Sequence, residues 1–212
     1  MWLLFWPKFV IGFSLAIVMF LVQKLVGHYT GLTFERDDYA KGWSFVLAVV
    51  VVAPLVEEGL FRGVLKPRAG QLAVVTFLLT ACVVGHNYGE WPVRKLIQLP
   101  VAVGLLAGLP LLVYRWLRIP QRMAGLQRVW QAHFRLIFYV VAIGFGLVHL
   151  SNYQELTGWH YLMAPLLTLP QLFAGFYLGY VRMTYGMWYG IALHAIWNVL
   201  PASLTIAHLL TH

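Results

Sequence analysis

Long apolar runs divide the chain into segments of the length that a helix needs to cross a bilayer. About 20 consecutive apolar residues span the hydrocarbon core, and seven runs of the sequence approach this length. The predicted spans are residues 9–26, 43–65, 71–86, 96–117, 131–152, 161–181 and 187–209. The pattern therefore predicts an all-α fold: a polytopic transmembrane helix bundle of about seven spans, built as a single integral membrane domain over residues 1–212.

Composition supports a membrane protein over a soluble one. Of the 212 residues, 61% are hydrophobic and 10% are charged, whereas a soluble domain is about 45–50% apolar and about 25% charged. A chain of this size cannot hide that apolar excess in one aqueous core. The lipid bilayer is therefore the expected surroundings of most of the surface.

The net charge of +8 changes the prediction only in its detail. No soluble basic module is present, so nucleic-acid binding is not expected. With seven spans, ten of the Lys and Arg residues fall on the side of the N-terminus and five on the other. Because cytoplasmic loops carry the excess of positive charge, we predict a multi-pass protein of the cell membrane with a cytoplasmic N-terminus. The single cysteine, Cys82, excludes an internal disulfide and a CxxC metal site.

The longest basic stretch is a connector, residues 115–135. Its sequence LQRVWQAHFRLIF is typical of the start of an interfacial amphipathic helix. The five arginines of the stretch are Arg115, Arg118, Arg122, Arg128 and Arg135.

Polar side chains inside three of the spans are the strongest chemical feature. Placing a charged side chain near the centre of a membrane helix costs about 2.5–3.5 kcal/mol, so a sequence that keeps such residues usually uses them. They are Glu57, Glu58 and Arg62 in the second span, His149 in the fifth, and His194 and Asn198 in the seventh.

The spacing of these residues has physical meaning. Glu58 and Arg62 are four residues apart, so they share a helix face and can pair. Glu57 is turned by about 100° from Glu58, which suits a division of labour between a structural carboxylate and a base. His194 and Asn198 are also four residues apart, and can together hold a metal, a water or a developing oxyanion.

A purely structural interpretation competes with the functional one. An intramembrane histidine is often a hydrogen-bonded packing residue, and a lone Glu–Arg pair serves helix association about as often as function. Polar groups on three separate spans favour a functional cavity, which is consistent with either catalysis or transport.

Three sequence motifs resemble a known family. EEGLFR (57–62), FGLVH (145–149) and HAIWN (194–198) are similar to the patterns EExxxR, FxxxH and HxxxN or HxxxD of the CPBP family, the CAAX protease and bacteriocin-processing (ABI) family of intramembrane endopeptidases. In that family the first two motifs usually lie on successive spans. Here about ninety residues separate them, including the extra spans 71–86 and 96–117.

The resemblance implies hydrolysis of a peptide bond at the membrane, with a membrane-associated peptide or protein as substrate. By the resemblance, Glu57 is the general base that activates water and His149 helps to position that water. His194 and Asn198 are the pair that stabilises the oxyanion, and Glu58 and Arg62 support Glu57. Hydrolysis needs such parts: a base within reach of a water, and donors where negative charge develops.

The metal question stays open at this stage. Two histidines and a glutamate are consistent with a Zn²⁺ site that keeps one position for water, and a metal-free glutamate mechanism is equally consistent with the family. The sequence contains no HExxH helix, no GxSG serine motif and no GxGD aspartate pair. Zinc is therefore the one cofactor for which the sequence offers possible ligands.

Two alternatives to a protease remain. A non-catalytic membrane partner or bacteriocin-immunity protein of the same family would use the cavity for binding. A small transporter or proton relay would use the intramembrane Glu and His to carry protons, although no inverted repeat is present to support it. The sequence does not specify the substrate, or whether it is prenylated.

Overall fold

The computed structural model describes residues 2–32, 42–88, 95–153 and 156–211. Within these ranges the chain is helical and contains no β-strand. The helices are α1 (Trp2–Thr30), α2 (Trp43–Arg62), α3 (Ala69–Asn87), α4 (Lys95–Leu117), α5 (Pro120–Ala132), α6 (Phe134–Val148), α7 (Ala164–Leu167), α8 (Leu169–Thr184) and α9 (Met187–Thr211). Two short 3₁₀ segments, His149–Asn152 and Gly158–Met163, connect α6 to α7.

The lengths and apolarity of these helices confirm the predicted polytopic bundle. Five segments are long and apolar enough to cross a membrane: Val10–Thr30, Trp43–Arg62, Ala69–Asn87, Ile97–Leu117 and Phe134–Asn152. Two further helix pairs pass the same test but are bent, one by 44° between Leu167 and Leu169 and one by 63° between Ser203 and Thr205. If each bent pair forms one span, the described residues contain up to 7 spans.

The predicted fifth span, residues 131–152, contains a break near its start. The backbone of His133 leaves the helical region at φ −110° and ψ 19°, which ends α5, and α6 begins at Phe134. Helix α5 itself starts with Pro120 at its first turn, and no residue of it is buried. A separate helix is therefore present in the basic connector, but it begins at Pro120 and ends before His133, so the predicted segment LQRVWQAHFRLIF is divided between α5 and α6.

Helix α2 is not a regular α-helix. Residues 48–52 and 58–62 have π-helical hydrogen bonds, with a short α segment, Ala53–Glu57, between them. Pro54 explains the first distortion, because proline has no N–H to donate and disrupts the hydrogen-bond ladder of the preceding turn. π segments inside helices frequently occur at functional sites, and the second one contains Glu58 and Arg62.

The described residues cluster into two compact units. The first contains Met1–Pro54 and Phe138–His212, and the second contains Leu55–Ile137. In the first unit α8 packs against α1 and α9, and α9 also packs against the N-terminal part of α2. In the second unit α3 packs along α4 and against the C-terminal π segment of α2.

Glycines bring α6 and α8 into close contact in the first unit. A side chain at Gly175 would collide with the backbone carbonyl of Ala142, and one at Gly146 would collide with Leu172. Small residues at such contacts let membrane helices approach closely enough for extensive van der Waals packing. The position of α6, which carries His149 at its end, therefore depends on this contact.

Candidate active site

The second unit contains the acidic and basic residues of the first motif. Glu58 and Arg62 are both fully buried, and the Arg62 Nη1 lies 3.2 Å from the Glu58 Oε1. The predicted pairing of these two side chains is therefore present, within the π segment that ends α2. A buried charge without a partner is far more costly than a buried pair, so each residue makes the other tolerable in the helix.

Glu57 has surroundings unlike those of its neighbour. It is partly exposed whereas Glu58 is completely buried, and both carboxylates interact electrostatically with Arg62. The exposure of Glu57 does not extend to its whole carboxylate, because Oε2 is buried. The two adjacent carboxylates therefore differ in burial, and the division of labour between them stays a prediction.

Gly59 in the first motif and Gly63 directly after it determine how closely α3 approaches α2. A side chain at Gly59 would lie 2.7 Å from Leu78, and one at Gly63 would lie 2.7 Å from Val75. Gly59 and Gly63 form a GxxxG pattern, which in membrane helices supports close helix packing. This contact with α3 covers the part of α2 that carries Glu58 and Arg62.

The first unit contains His149, at the point where α6 gives way to a 3₁₀ turn. Its Nδ1 lies 2.8 Å from the backbone carbonyl oxygen of Phe145. Because a carbonyl oxygen only accepts hydrogen bonds, Nδ1 carries the proton of the neutral ring and Nε2 carries the lone pair. Nε2 is thus the nitrogen with the chemistry to accept a proton from water.

Phe145 brings the second and third motifs together in the first unit. Its ring centroid lies 5.0 Å from that of His149 and 5.7 Å from that of His194, the latter in an edge-to-face arrangement. Phe145 is 1% exposed and His194 is 5% exposed. The two imidazoles predicted to act together therefore pack against one buried aromatic ring, which holds them at a defined separation.

Asn198 makes a long-range hydrogen bond in the same unit. Its side-chain amide donates to the backbone carbonyl oxygen of Val49 over 2.8 Å. The predicted i, i+4 relation places His194 and Asn198 one turn apart on α9, but the amide group is engaged with the backbone of α2. Asn198 thereby fixes α9 to the N-terminal part of α2 within the first unit.

A buried cluster centred on Gln23 holds the turn after His149. The Gln23 amide donates to the Tyr153 hydroxyl over 2.9 Å and to the Leu167 carbonyl over 2.7 Å. The Tyr153 hydroxyl also donates to the Leu167 carbonyl, over 2.9 Å. Because Tyr153 follows His149 by four residues, these bonds anchor the 3₁₀ turn to α1 and to the end of α7.

Comparison with known proteins found one family whose model matches the chain. The family model described as Type II CAAX prenyl endopeptidase Rce1-like matches residues 39–200, which is more than half of the chain. The chain belongs to this family. The resemblance predicted from the three motifs is thus confirmed, and the interval encloses all three of them. Neither a curated protein nor a solved structure matches the chain.

The extent of the match refines one expectation. The sequence motifs alone marked residues 71–86 and 96–117 as extra spans without a recognisable counterpart. The interval matched to the CAAX prenyl endopeptidase Rce1-like family encloses α3 and α4, which correspond to those spans. Helix α1, which contributes Gln23, lies outside the interval.

Some residues around the predicted site have contacts that the sequence did not indicate. Phe145 is the first residue of the FGLVH motif, but the motif does not indicate that its ring packs against His194. Gln23 is a polar residue in an apolar run, and this unusual position was the sequence feature that could have indicated a buried polar contact. His160, to which no role was given, is buried, and its Nδ1 accepts a hydrogen bond from the Thr157 backbone N–H over 3.0 Å, a structural cap of the second 3₁₀ segment.

A catalytic zinc needs three protein ligands and an open position. Among residues 2–32, 42–88, 95–153 and 156–211, no three His, Cys, Asp or Glu side chains are grouped so that they can hold a metal ion. The participation of zinc stays an untested expectation of the sequence.

Proposed function

We propose that this CAAX-protease-like family member is an intramembrane endopeptidase that hydrolyses a peptide bond with a water activated by Glu57 and His149. The observation that carries the proposal is the packing of His149 and His194 against Phe145, together with the tautomer that Phe145 imposes on His149. Family membership supports the reaction class. The substrate is a membrane-associated peptide or protein.

Each residue has a distinct part in the proposed reaction. Glu57 takes a proton from water, and the Nε2 of His149 accepts a hydrogen bond that orients the same water. The water oxygen adds to the carbonyl carbon of the scissile peptide bond, which places negative charge on the carbonyl oxygen. The imidazole of His194 and the second N–H of the Asn198 amide, the one not donated to Val49, stabilise that charge. The C–N bond then breaks, and the proton held by Glu57 passes to the departing amine nitrogen.

Glu58 and Arg62 act through Glu57 and not on the substrate. Arg62 is buried between electrostatic contacts with both carboxylates, so it limits the conformations open to the end of α2. Loss of either residue disturbs the base without removing it. Both are positioning residues in this scheme.

Cleavage of a fluorogenic CAAX-type peptide by the purified protein in liposomes tests the proposal. General-base catalysis contributes about 10²–10⁴-fold, so Glu57→Gln and His149→Ala are each expected to lose at least about 100-fold in kcat/KM. His208→Ala, an exposed histidine of α9 outside the motifs, is the matched control and should retain wild-type activity. Thermal unfolding of each variant checks that the fold is preserved.

Two further measurements separate the alternatives. Full activity in both Glu57→Gln and His149→Ala would refute the proposed mechanism, and unchanged cellular function in Glu57→Gln would favour a non-catalytic binding role. Dialysis against a zinc chelator, followed by restoration of Zn²⁺, tests metal dependence. Loss of activity that returns with Zn²⁺ would replace the metal-free scheme with a zinc-dependent one.

A further inference from the structure

The end of α4 and the beginning of α5 form a shallow cavity in the second unit that is largely open to the outside. Its volume is about 510 Å³. Two arginines, a tryptophan and two aliphatic residues line it: Arg115, Arg122, Trp116, Leu112 and Val113. None of these residues belongs to the three motifs, and the proposed hydrolysis uses none of them.

The charge of this cavity is positive and locally uncompensated. The sequence has no Asp or Glu between Glu90 and Glu155, an interval that includes all five arginines of the basic stretch. In the part of the chain that the structure describes, neither Arg115 nor Arg122 has a carboxylate partner. Two guanidinium groups on the wall of one cavity repel each other unless an anion lies between them.

A cation–π contact keeps one of the arginines at the cavity. The guanidinium carbon of Arg122 lies over the ring of Trp116, 5.1 Å from its centroid. Such a contact is favourable even at an exposed site and holds the guanidinium on the cavity wall. The planar donors of arginine match the oxygens of a phosphate.

The remaining wall is apolar and faces outward. Leu112 is 64% exposed and Trp116 is 56% exposed, and both lie near the end of the candidate span Ile97–Leu117. At the end of a membrane span the helix passes from the hydrocarbon region to the headgroup level, where tryptophan and arginine are favoured. The cavity therefore combines an acyl-chain surface and a cationic surface within a few residues.

We propose that this cavity binds an anionic phospholipid, with the headgroup phosphate held by Arg115 and Arg122 and an acyl chain lying along Leu112 and Val113. The Lys and Arg counts predict that this connector is cytoplasmic, and the cytoplasmic leaflet is the one rich in anionic lipids. Basic cavities at this level between membrane helices recognise anionic headgroups. The bound lipid supplies the negative charge that the chain lacks here.

Native mass spectrometry of the detergent-purified protein measures the binding directly. The probes are dioleoylphosphatidylglycerol and, as the neutral counterpart, dioleoylphosphatidylcholine. Wild type is expected to retain one phosphatidylglycerol molecule in preference to phosphatidylcholine. Each arginine near a membrane surface contributes about fivefold to anionic-lipid affinity, so Arg115→Gln/Arg122→Gln is expected to lose about thirtyfold.

Arg128→Gln/Arg135→Gln is the matched control, because it removes the same charge from exposed arginines that do not line the cavity. Its affinity for phosphatidylglycerol should stay within about threefold of wild type, since distant exposed charges are screened. Equal losses in the two double variants would show diffuse attraction to anionic lipid and overturn the proposal.

Competition distinguishes a lipid site from a free-phosphate site. At constant ionic strength, millimolar inorganic phosphate should leave the bound phosphatidylglycerol in place, because phosphate lacks the acyl chains that contact Leu112 and Val113. Complete displacement by inorganic phosphate would overturn the assignment to a lipid. All the substituted side chains are exposed, so the variants are expected to fold, and circular dichroism checks this.

Discussion

The side-chain amide of Asn198 donates a 2.8 Å hydrogen bond to the backbone carbonyl of Val49, 149 residues away in sequence. The reason lies in the π segment of α2. There the N–H of Ala53 bonds to the carbonyl of Ala48, five residues back, and in the same register the carbonyl of Val49 would require an N–H from residue 54. Residue 54 is proline, which has none, so Asn198 supplies the missing donor.

This relationship predicts that Asn198→Ala destabilises the protein by about 1–3 kcal/mol, the cost of leaving a buried carbonyl without its donor. Asn198→Asp is expected to be no better, because an ionised carboxylate cannot donate to a carbonyl oxygen. Thermal unfolding in one detergent measures both variants, with Ser203→Ala on the exposed face of α9 as the control.

Pro54→Ala provides the sharper comparison. An alanine at position 54 has an N–H that can bond to α2 itself, so Asn198→Ala should cost less in the Pro54→Ala background than in the wild type. Equal costs in both backgrounds would show that the role of Asn198 is unrelated to the proline.

The buried pair of Glu58 and Arg62 predicts strong non-additivity. Removing one partner leaves an uncompensated charge, so Glu58→Leu and Arg62→Met should each destabilise the protein by about 3–5 kcal/mol. The double variant should lose much less than the two single losses combined, since no charge is then left alone. Unfolding by detergent titration measures the cycle, and strict additivity would contradict the pairing.

Alanine substitutions at Gly175 and at Gly125 are expected to change the stability of the protein in opposite directions. Alanine at Gly175 would collide with the Ala142 carbonyl, and overpacking of this kind costs about 1–3 kcal/mol. Gly125 on α5 has open space around it, so alanine there should raise stability by up to about 1 kcal/mol through helix propensity. Melting temperatures measured side by side test the pair, and similar shifts in both variants would contradict the close contact of α6 and α8.

The cluster of Gln23 and Tyr153 predicts cooperation between two donors to one carbonyl. Gln23→Leu and Tyr153→Phe should each cost about 1 kcal/mol, because either one leaves the Leu167 carbonyl with the other donor. The double variant removes both side-chain donors and should cost more than the single losses combined. Gln121→Leu, an exposed glutamine of α5, is the control and should be close to neutral.

The same cluster also predicts an effect on catalysis if the proposed mechanism holds. Loss of the Gln23 bonds frees the turn that follows His149, so kcat should fall while KM stays close to that of the wild type. The kcat and KM of Gln23→Leu in the peptide assay measure this. A change in KM alone would show that Gln23 affects substrate binding and does not act through His149.

The helices themselves were predictable from local sequence. In a bilayer every backbone polar group must be satisfied within the segment or by a neighbour, so a run of apolar residues of sufficient length becomes a helix almost regardless of the rest of the fold. The predicted spans 43–65, 71–86 and 96–117 accordingly correspond to Trp43–Arg62, Ala69–Asn87 and Ile97–Leu117. The break at His133 was not predictable in this way, because the mean hydropathy of a whole segment does not reveal a change of backbone conformation at one residue.

The motifs were also visible in the sequence, since charged and imidazole side chains in apolar spans are costly and therefore conspicuous. The pairing of Glu58 with Arg62 followed from their spacing alone, because residues four apart on one helix meet wherever that helix lies. The roles of Glu57, His149 and His194 in catalysis stay predictions that the cleavage assay addresses.

What the sequence by itself determined was thus local: the helices, the spans and the residues on each of them. Only the tertiary structure decided that Phe145 packs against His194, that Gln23 anchors the turn beside Tyr153, and that Asn198 completes the backbone of α2. These contacts join residues as far as 149 positions apart. They depend on which helices lie side by side and how closely, and the period of a single helix contains no information about that.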